Sequence, residues 1–240
     1  MSPRQSLPVI GRAFTMAAAV LVVAGMFDCA PFTPSTRNGS LDGTVFSRSA
    51  GPRIRVSLND VMLGASGTYI DRLLADRDST IERWPAHVGD PLRVWIDSSA
   101  GLGGVLAGYP AAVRFAFAQW AAVGIPLRFA YVAAPDDAEI RVHWTDHLAR
   151  KTGSTTWRTD QAGDLTDGDI TFATHISDGR LVDGRGMRAI ALHEVGHALG
   201  LSHSLNGEDV MAPLVRVDTL SDADRNTIKL LYSLPSGPVR

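Results

Sequence analysis

Four residues near the end of the chain could bind and use a metal ion: His193, Glu194, His197 and His203. Residues four apart stand one above the other on a helix, so His193 and His197 can present their imidazoles to one ion. Gly200 can adopt a left-handed turn at little cost and bring His203 back as a third ligand. Three neutral imidazoles leave one tetrahedral position open for water, which is the arrangement of a catalytic zinc site.

Glu194 directly follows the first of these histidines and lies about 100° round the helix from it. It can therefore lie beside the ion without being a ligand, accept a proton from water and pass it to a leaving amine. The alternative is that these histidines belong to an ordinary amphipathic helix and bind no metal. It would require the histidine spacing and the two glycines, Gly196 and Gly200, to occur together by chance. The pattern HExxHxxGxxH predicts one catalytic Zn²⁺ ion and hydrolysis of peptide bonds.

The elements that must position these residues form one succession from about residue 91. The expected strands cover residues 92–96, 127–132, 139–144 and 170–172, and the expected helices cover residues 110–123, 187–199 and the stretch after Ser221. The polar stretch 149–169 is predicted to be a loop. Before residue 91, a strand over 54–58 and a helix over 69–77 are predicted.

The charge balance and the N-terminal residues limit the possible partners and locations of the protein. The 240 residues include 23 Lys and Arg against 25 Asp and Glu, so no basic surface is available for nucleic acid. Basic residues precede an apolar stretch over 13–27, which is short for a membrane span. Residues 1–30 are therefore predicted to be a signal peptide or N-terminal anchor, and the protein to be secreted or located in the cell envelope. Membrane contact is expected only through this segment if it stays uncleaved.

The rest of the chain divides into three predicted parts. Residues 31–52 are rich in Pro, Ser, Thr and Gly and are predicted to be a flexible linker. Residues 53–85 are predicted to be an N-terminal arm or a pro-segment, and residues 86–240 the catalytic domain of a monomer. The single cysteine, Cys29, lies near the predicted signal, so no thiolate metal site is expected.

The zinc pattern resembles that of the metzincin clan, in which a methionine lies in a tight turn below the metal. Met211, eight residues after His203, supplies this methionine. Within the clan, the chain most resembles the matrixins, the matrix-metalloproteinase-like group, over roughly residues 91–234. The resemblance implies an α+β zincin fold: a twisted, mostly parallel five-stranded sheet with an antiparallel edge strand, an active-site helix and a C-terminal helix.

The resemblance also implies a polypeptide substrate that pairs with the edge strand above the cleft. The residues aligned with that strand are Asp169, Ile170, Thr171 and Phe172. Thr171 stands where the family has a histidine ligand of its structural zinc, so a second structural zinc or calcium is not expected. A different site built from His143, His147 and His175 is the alternative that the composition leaves open.

Two further alternatives concern latency and activity. The only cysteine before the domain is Cys29, near the predicted signal, so no cysteine is expected to block the metal. Asp60, Asp71 or Asp90 could do so instead. The main rival function is an exported, non-catalytic, zinc-stabilised module that binds peptides, which would unfold without zinc but hydrolyse nothing. A second rival is a metallohydrolase acting on a non-peptide amide in the cell envelope.

Overall fold

A computed structural model of the protein describes residues 56–86, 90–98 and 104–240. The predicted signal or anchor, residues 1–30, and the predicted linker, residues 31–52, lie outside the described residues. Within the described parts of the chain, no helix is long and apolar enough to cross a membrane.

Five α-helices and seven strands make up the described chain. The helices are α1 (Leu58–Gly64), α2 (Ile70–Asp76), α3 (Tyr109–Ala121), α4 (Gly184–Ala198) and α5 (Asp222–Ser233). The strands are β1 (Thr80–Ile81), β2 (Leu92–Ile96), β3 (Phe129–Val132), β4 (Ile140–Thr145), β5 (Gly153–Thr159), β6 (Leu165–Ala173) and β7 (Gly237–Pro238). Two short 3₁₀ helices cover Gly104–Gly108 and Pro135–Asp137.

The main sheet has five strands in the order β3-β2-β4-β6-β5, and only β5 is antiparallel to its neighbour. The predicted α+β architecture with a mostly parallel sheet and an antiparallel edge strand is thus confirmed. One face of the sheet packs on α4 and, through Tyr109 and Phe117, on α3, so its side chains are buried and apolar. They include Val94, Ile140, Val142, Ile170 and Phe172.

Charged side chains link the strands on the opposite face of the sheet. Arg141 on β4 forms ion pairs with Asp167 and with Asp169, the latter at 2.8 Å, both on β6. Arg158 on β5 also reaches Asp167, at 2.8 Å. The Asp169 carboxylate has its pKa lowered by the Arg141 and His143 hydrogen bonds, which outweigh its burial. These pairs help to hold the edge strand against the interior of the sheet.

Two predicted elements are wrong. The strand expected over 54–58 does not continue through Leu58, because α1 starts there, and the Ser57 hydroxyl caps this helix by accepting from the Asn59 amide. The polar stretch 149–169, predicted as a loop, contains β5.

The predicted edge position of Asp169, Ile170, Thr171 and Phe172 is also wrong. These residues belong to β6, which is hydrogen-bonded to β4 on one side and to β5 on the other. A strand paired on both sides has no backbone groups left for a further strand. The edge strand next to α4 is β5.

Residues 56–85 pack closely against the rest of the chain. Strand β1 pairs with β7 near the C-terminus, and Val56 forms a bridge with Val239. The Trp84 indole donates to the Ala198 carbonyl at 2.7 Å, and the Tyr69 hydroxyl donates to Asp224 at 3.1 Å. Eight hydrophobic side chains of this segment are buried: Val56, Val61, Tyr69, Ile70, Leu73, Leu74, Ile81 and Trp84.

Candidate metal centre and active site

Helix α4 carries the first half of the candidate site. Its N-terminus is capped by Asp183, whose carboxylate accepts from the Gly186 amide at 2.6 Å. His193 and His197 lie one turn apart near its C-terminal end, and both are buried. The Trp120 indole of α3 donates to the Leu192 carbonyl at 2.9 Å, which fixes α4 against α3.

Gly200 ends this helix and turns the chain back, as predicted. Its φ is +101°, and a Cβ at this position would lie 2.6 Å from the Glu82 carbonyl oxygen. The Leu201 amide donates to the Gly196 carbonyl at 3.0 Å, which closes the turn. A left-handed φ and a tight contact both require glycine here. The turn brings His203 to the same point as His193 and His197.

Replacing Gly200 with alanine is therefore expected to lower the free energy of unfolding by at least about 1–2 kcal/mol and to weaken zinc binding. Urea unfolding and competition with a chromogenic chelator measure the two effects. Gly207→Ala is the matched control, since a Cβ at Gly207 meets no atom within 4 Å. Wild-type zinc affinity in Gly200→Ala would show that the turn does not position His203.

The three imidazoles converge through their Nε2 atoms. The Nε2 of His197 lies 3.1 Å from that of His193 and 3.2 Å from that of His203. The Nδ1 of His193 donates to the Val210 carbonyl at 2.7 Å, and the Nδ1 of His197 donates to the Leu201 carbonyl at 2.8 Å. A carbonyl only accepts, so in these neutral rings Nδ1 carries the proton and Nε2 holds a lone pair.

Lone pairs that face one another at this distance repel unless a cation lies between them. Tetrahedral zinc–nitrogen bonds of about 2.0–2.1 Å place two ligand nitrogens about 3.3–3.4 Å apart. The observed separations agree with this value to a few tenths of an ångström. A donor set of three imidazoles whose Nε2 atoms converge in this way therefore fits a zinc ion.

Burial keeps these histidines neutral. It lowers the pKa of His193 and of His203 to about 4, in His203 with help from the nearby charges of Arg72 and Lys151. It also lowers the pKa of His197 well below its usual value. Neutral imidazole is the form that binds a metal, so the triad is ready to bind at neutral pH without first losing protons.

Glu194 lies on the same helix with its carboxylate below strand β5, and only 2% of the residue is exposed. The Thr155 hydroxyl lies 2.7 Å from Glu194 Oε2. A Cβ on Gly153 would lie 2.4 Å from Glu194 Oε1, so bare backbone covers the other side of the carboxylate. Burial raises the pKa of Glu194 to about 7, against the opposing effects of the Thr155 hydrogen bond and the Lys151 charge. A carboxyl with a pKa near neutrality is suited to exchanging protons.

Met211 lies below the metal-binding helix. A Cβ on Gly196 would lie 2.4 Å from the Met211 sulfur and 3.0 Å from the Trp120 ring, so the absence of a side chain at Gly196 makes room for both. The preceding residue, Val210, accepts from His193 through its carbonyl and donates its amide to Asp224 at 2.9 Å. Helix α5 thus fixes the turn that orients the first histidine.

The three histidines of the alternative metal site do not form a group that could share an ion. His143 lies 3.2 Å from Asp169 on the outer face of the sheet, and the rings of His147 and His175 are 5.2 Å apart. Among the described residues, the group of three or more side chains able to share a metal is His193, His197 and His203. The alternative blocking residues Asp60, Asp71 and Asp90 are exposed and do not belong to this group.

Sequence reasoning missed Thr155 and Gly153, which contact Glu194 from β5. The alternation of Gly153, Thr155 and Trp157 with more polar residues marks one inward face of a strand. Only Trp157 of these three is a large apolar residue, so the alternation is hard to detect by hydrophobicity.

The fold and the histidine triad define a zinc-metalloprotease class, the metzincins, in which a sheet lies above a helix that carries two metal ligands. The matrixin family model matches residues 107–233, so the chain belongs to the matrixin family. Human matrix metalloproteinase-15 is 42% identical to this chain over 59 residues. The match covers 22% of this chain and 9% of that relative.

Proposed function

We propose that this protein is a zinc-dependent endopeptidase in which His193, His197 and His203 hold the ion and Glu194 is the general base. The observation that carries the proposal is the Glu194 carboxylate, which is buried, hydrogen-bonded and next in the chain to one of three converging imidazoles. A structural metal site needs no such base. Met211, packed against Gly196, supports the helix from below.

When bound, zinc supplies Lewis-acid chemistry: it lowers the pKa of water and polarises a carbonyl. Glu194 accepts one proton from the attacking water as the water oxygen bonds to the scissile carbonyl carbon. The same carboxyl then gives this proton to the amine nitrogen as the carbon–nitrogen bond breaks. The histidines stay neutral ligands throughout, and no covalent bond forms between the substrate and the chain.

The substrate is proposed to bind as an extended strand along β5. In the described residues β5 pairs with β6 on one side, and no strand pairs with its other side. Unpaired backbone groups on an edge strand can pair with an extended peptide. Because Gly153 and Thr155 of this strand contact Glu194, a peptide paired along it lies next to the general base.

Two proposals concern the rest of the chain. Residues 56–85 are an N-terminal arm that stays part of the catalytic domain, because their buried side chains complete its core. Residues 1–30 direct export, because Arg4 and Arg12 precede the apolar stretch over 13–27. The peptidase would then act outside the cytoplasm.

Removal of zinc is expected to abolish peptide hydrolysis. Purified protein lacking residues 1–30 is incubated with a mixed peptide library, and new peptide termini are identified by mass spectrometry. Cleavage should stop with a chelator and return when zinc is restored. His203→Ala should hydrolyse peptides poorly at every zinc concentration at which the protein stays folded. The control is His147→Ala, which changes an exposed histidine outside the three metal ligands and should hydrolyse peptides at the wild-type rate.

Other outcomes would contradict the proposal in distinct ways. Folded, zinc-loaded protein that cuts no peptide would favour the zinc-stabilised binding module. Cleavage of non-peptide amides without cleavage of peptides would favour the envelope metallohydrolase.

A further inference from the structure

Thr155 lies on the buried face of β5, opposite helix α4. Its hydroxyl oxygen lies 2.7 Å from Glu194 Oε2 and 3.1 Å from the main-chain carbonyl oxygen of Glu194. The residue is 7% exposed, so water does not readily replace either contact. A hydroxyl has one proton and can donate to one of these acceptors at a time. The shorter distance favours the charged carboxylate, which is also the stronger acceptor.

We propose that Thr155 is the positioning residue that fixes the Glu194 carboxylate for proton transfer. The inference rests on the proposed function, because it assigns Thr155 a role only through Glu194. Among residues 56–86, 90–98 and 104–240, the hydrogen bond that the Glu194 carboxylate receives comes from Thr155. A glutamate side chain has three rotatable bonds, and this bond restricts where its end lies.

Gly153 completes the restriction from the other side. It lies two residues before Thr155 on the same strand face, and a Cβ on it would lie 2.4 Å from Glu194 Oε1 and 2.5 Å from Glu194 Cγ. The carboxylate therefore has bare backbone against one oxygen and a hydroxyl donor at the other. A base held between two such contacts does not need to be ordered again in each catalytic cycle.

Thr155 can keep its contact in both states of Glu194. While the carboxylate is charged, the hydroxyl donates to Oε2. Once Glu194 holds the proton from water on Oε1, Oε2 is the carbonyl oxygen of the acid and can still accept from the Thr155 hydroxyl. The side chain can thus stay in one place from uptake of the proton to its delivery to the amine.

The test compares variants that differ in the hydroxyl group. Thr155→Val keeps the shape and removes the hydroxyl, and Thr155→Ser keeps the hydroxyl and removes a methyl group. We expect Thr155→Val to lower kcat about 10- to 100-fold with KM within about twofold of wild type, and Thr155→Ser to restore most of kcat. Bound zinc, measured by a metal-sensitive dye after unfolding, should be the same in all three proteins.

Thr166→Val is the matched control, because Thr166 is exposed on β6 and its hydroxyl donates to the Arg158 carbonyl at 3.3 Å, away from Glu194. If Thr155→Val does not fold, Thr155→Ala against Thr155→Ser isolates the same hydroxyl. Wild-type kcat in the hydroxyl-free variant, or an equal loss in Thr155→Ser, would overturn the inference. Failure of the proposed function looks different: wild type itself would cut no peptide, or Glu194→Gln would cut as well as wild type.

Discussion

Replacing Glu194 with glutamine is expected to lower kcat for peptide hydrolysis about 10²- to 10⁴-fold while zinc stays bound. The amide has nearly the same shape as the carboxylate, and its oxygen can still accept from the Thr155 hydroxyl. The Nδ1 contacts that orient two of the imidazoles are kept, since His193 and His197 donate to the Val210 and Leu201 carbonyls. What the variant loses is the ability to take up a proton.

The measurement pairs kinetics with metal content. Steady-state hydrolysis of a peptide chosen from the library gives kcat and KM, and zinc per chain is determined on the same preparation. Glu208→Gln provides the control, because it makes the same change at an exposed glutamate in the loop between His203 and Met211. Hydrolysis that persists in Glu194→Gln at the wild-type rate would remove Glu194 from the mechanism and require another base.

The metal ligands could be predicted because their geometry is local. His193 and His197 are related by the pitch of one helix, and the turn at Gly200 follows from the few residues around it. The same holds for α5, where Ser221 and Asp224 form a capping box within four residues. Metal ligands that lie within about a dozen consecutive residues can be predicted without knowing how the strands of the sheet are arranged.

The surroundings of Glu194 could not be predicted in the same way. Thr155 is separated from Glu194 by 39 positions, and the two meet because β5 is antiparallel and lies at the edge of the sheet. The edge assignment failed for the same reason: β6 follows β5 in the chain but lies inside the sheet. Strand order within a sheet depends on contacts between distant segments.

Strand β5 itself was missed because it lacks the usual apolar alternation. Its inward positions Gly153 and Thr155 are small or polar since they face Glu194, and Thr156 is exposed. An inward face shaped around a carboxylate does not appear as a hydrophobic stripe. The residues that serve the proposed chemistry are thus the ones that make β5 difficult to predict from the sequence.

Replacing Trp84 with alanine is expected to lower the free energy of unfolding by about 3–5 kcal/mol. Trp84 is 1% exposed, and its indole donates to the carbonyl of Ala198, the last residue of α4, at 2.7 Å. The substitution opens a cavity beside this helix and leaves a helix-end carbonyl without its donor. Urea unfolding of the zinc-loaded protein, followed by circular dichroism, measures the change.

Two further variants separate the causes of this loss. Trp84→Phe keeps most of the ring volume and removes the donor, so it should cost about 1–2 kcal/mol. Trp95→Ala is the control for loss of a tryptophan, because Trp95 is only partly buried on the outer face of the sheet, beside His143. It should cost clearly less than Trp84→Ala.

The Trp84 result also decides what residues 56–85 are. A pro-segment leaves when the enzyme becomes active, so its side chains cannot stabilise the active form. The contacts of Trp84 with α4, of Tyr69 with Asp224 and of β1 with β7 join this segment to the metal-binding helix and to both elements at the C-terminal end. Active protein that begins after residue 85, shown by N-terminal sequencing, would refute the arm. Active protein that retains Trp84 and loses stability in Trp84→Ala makes it a permanent part of the peptidase.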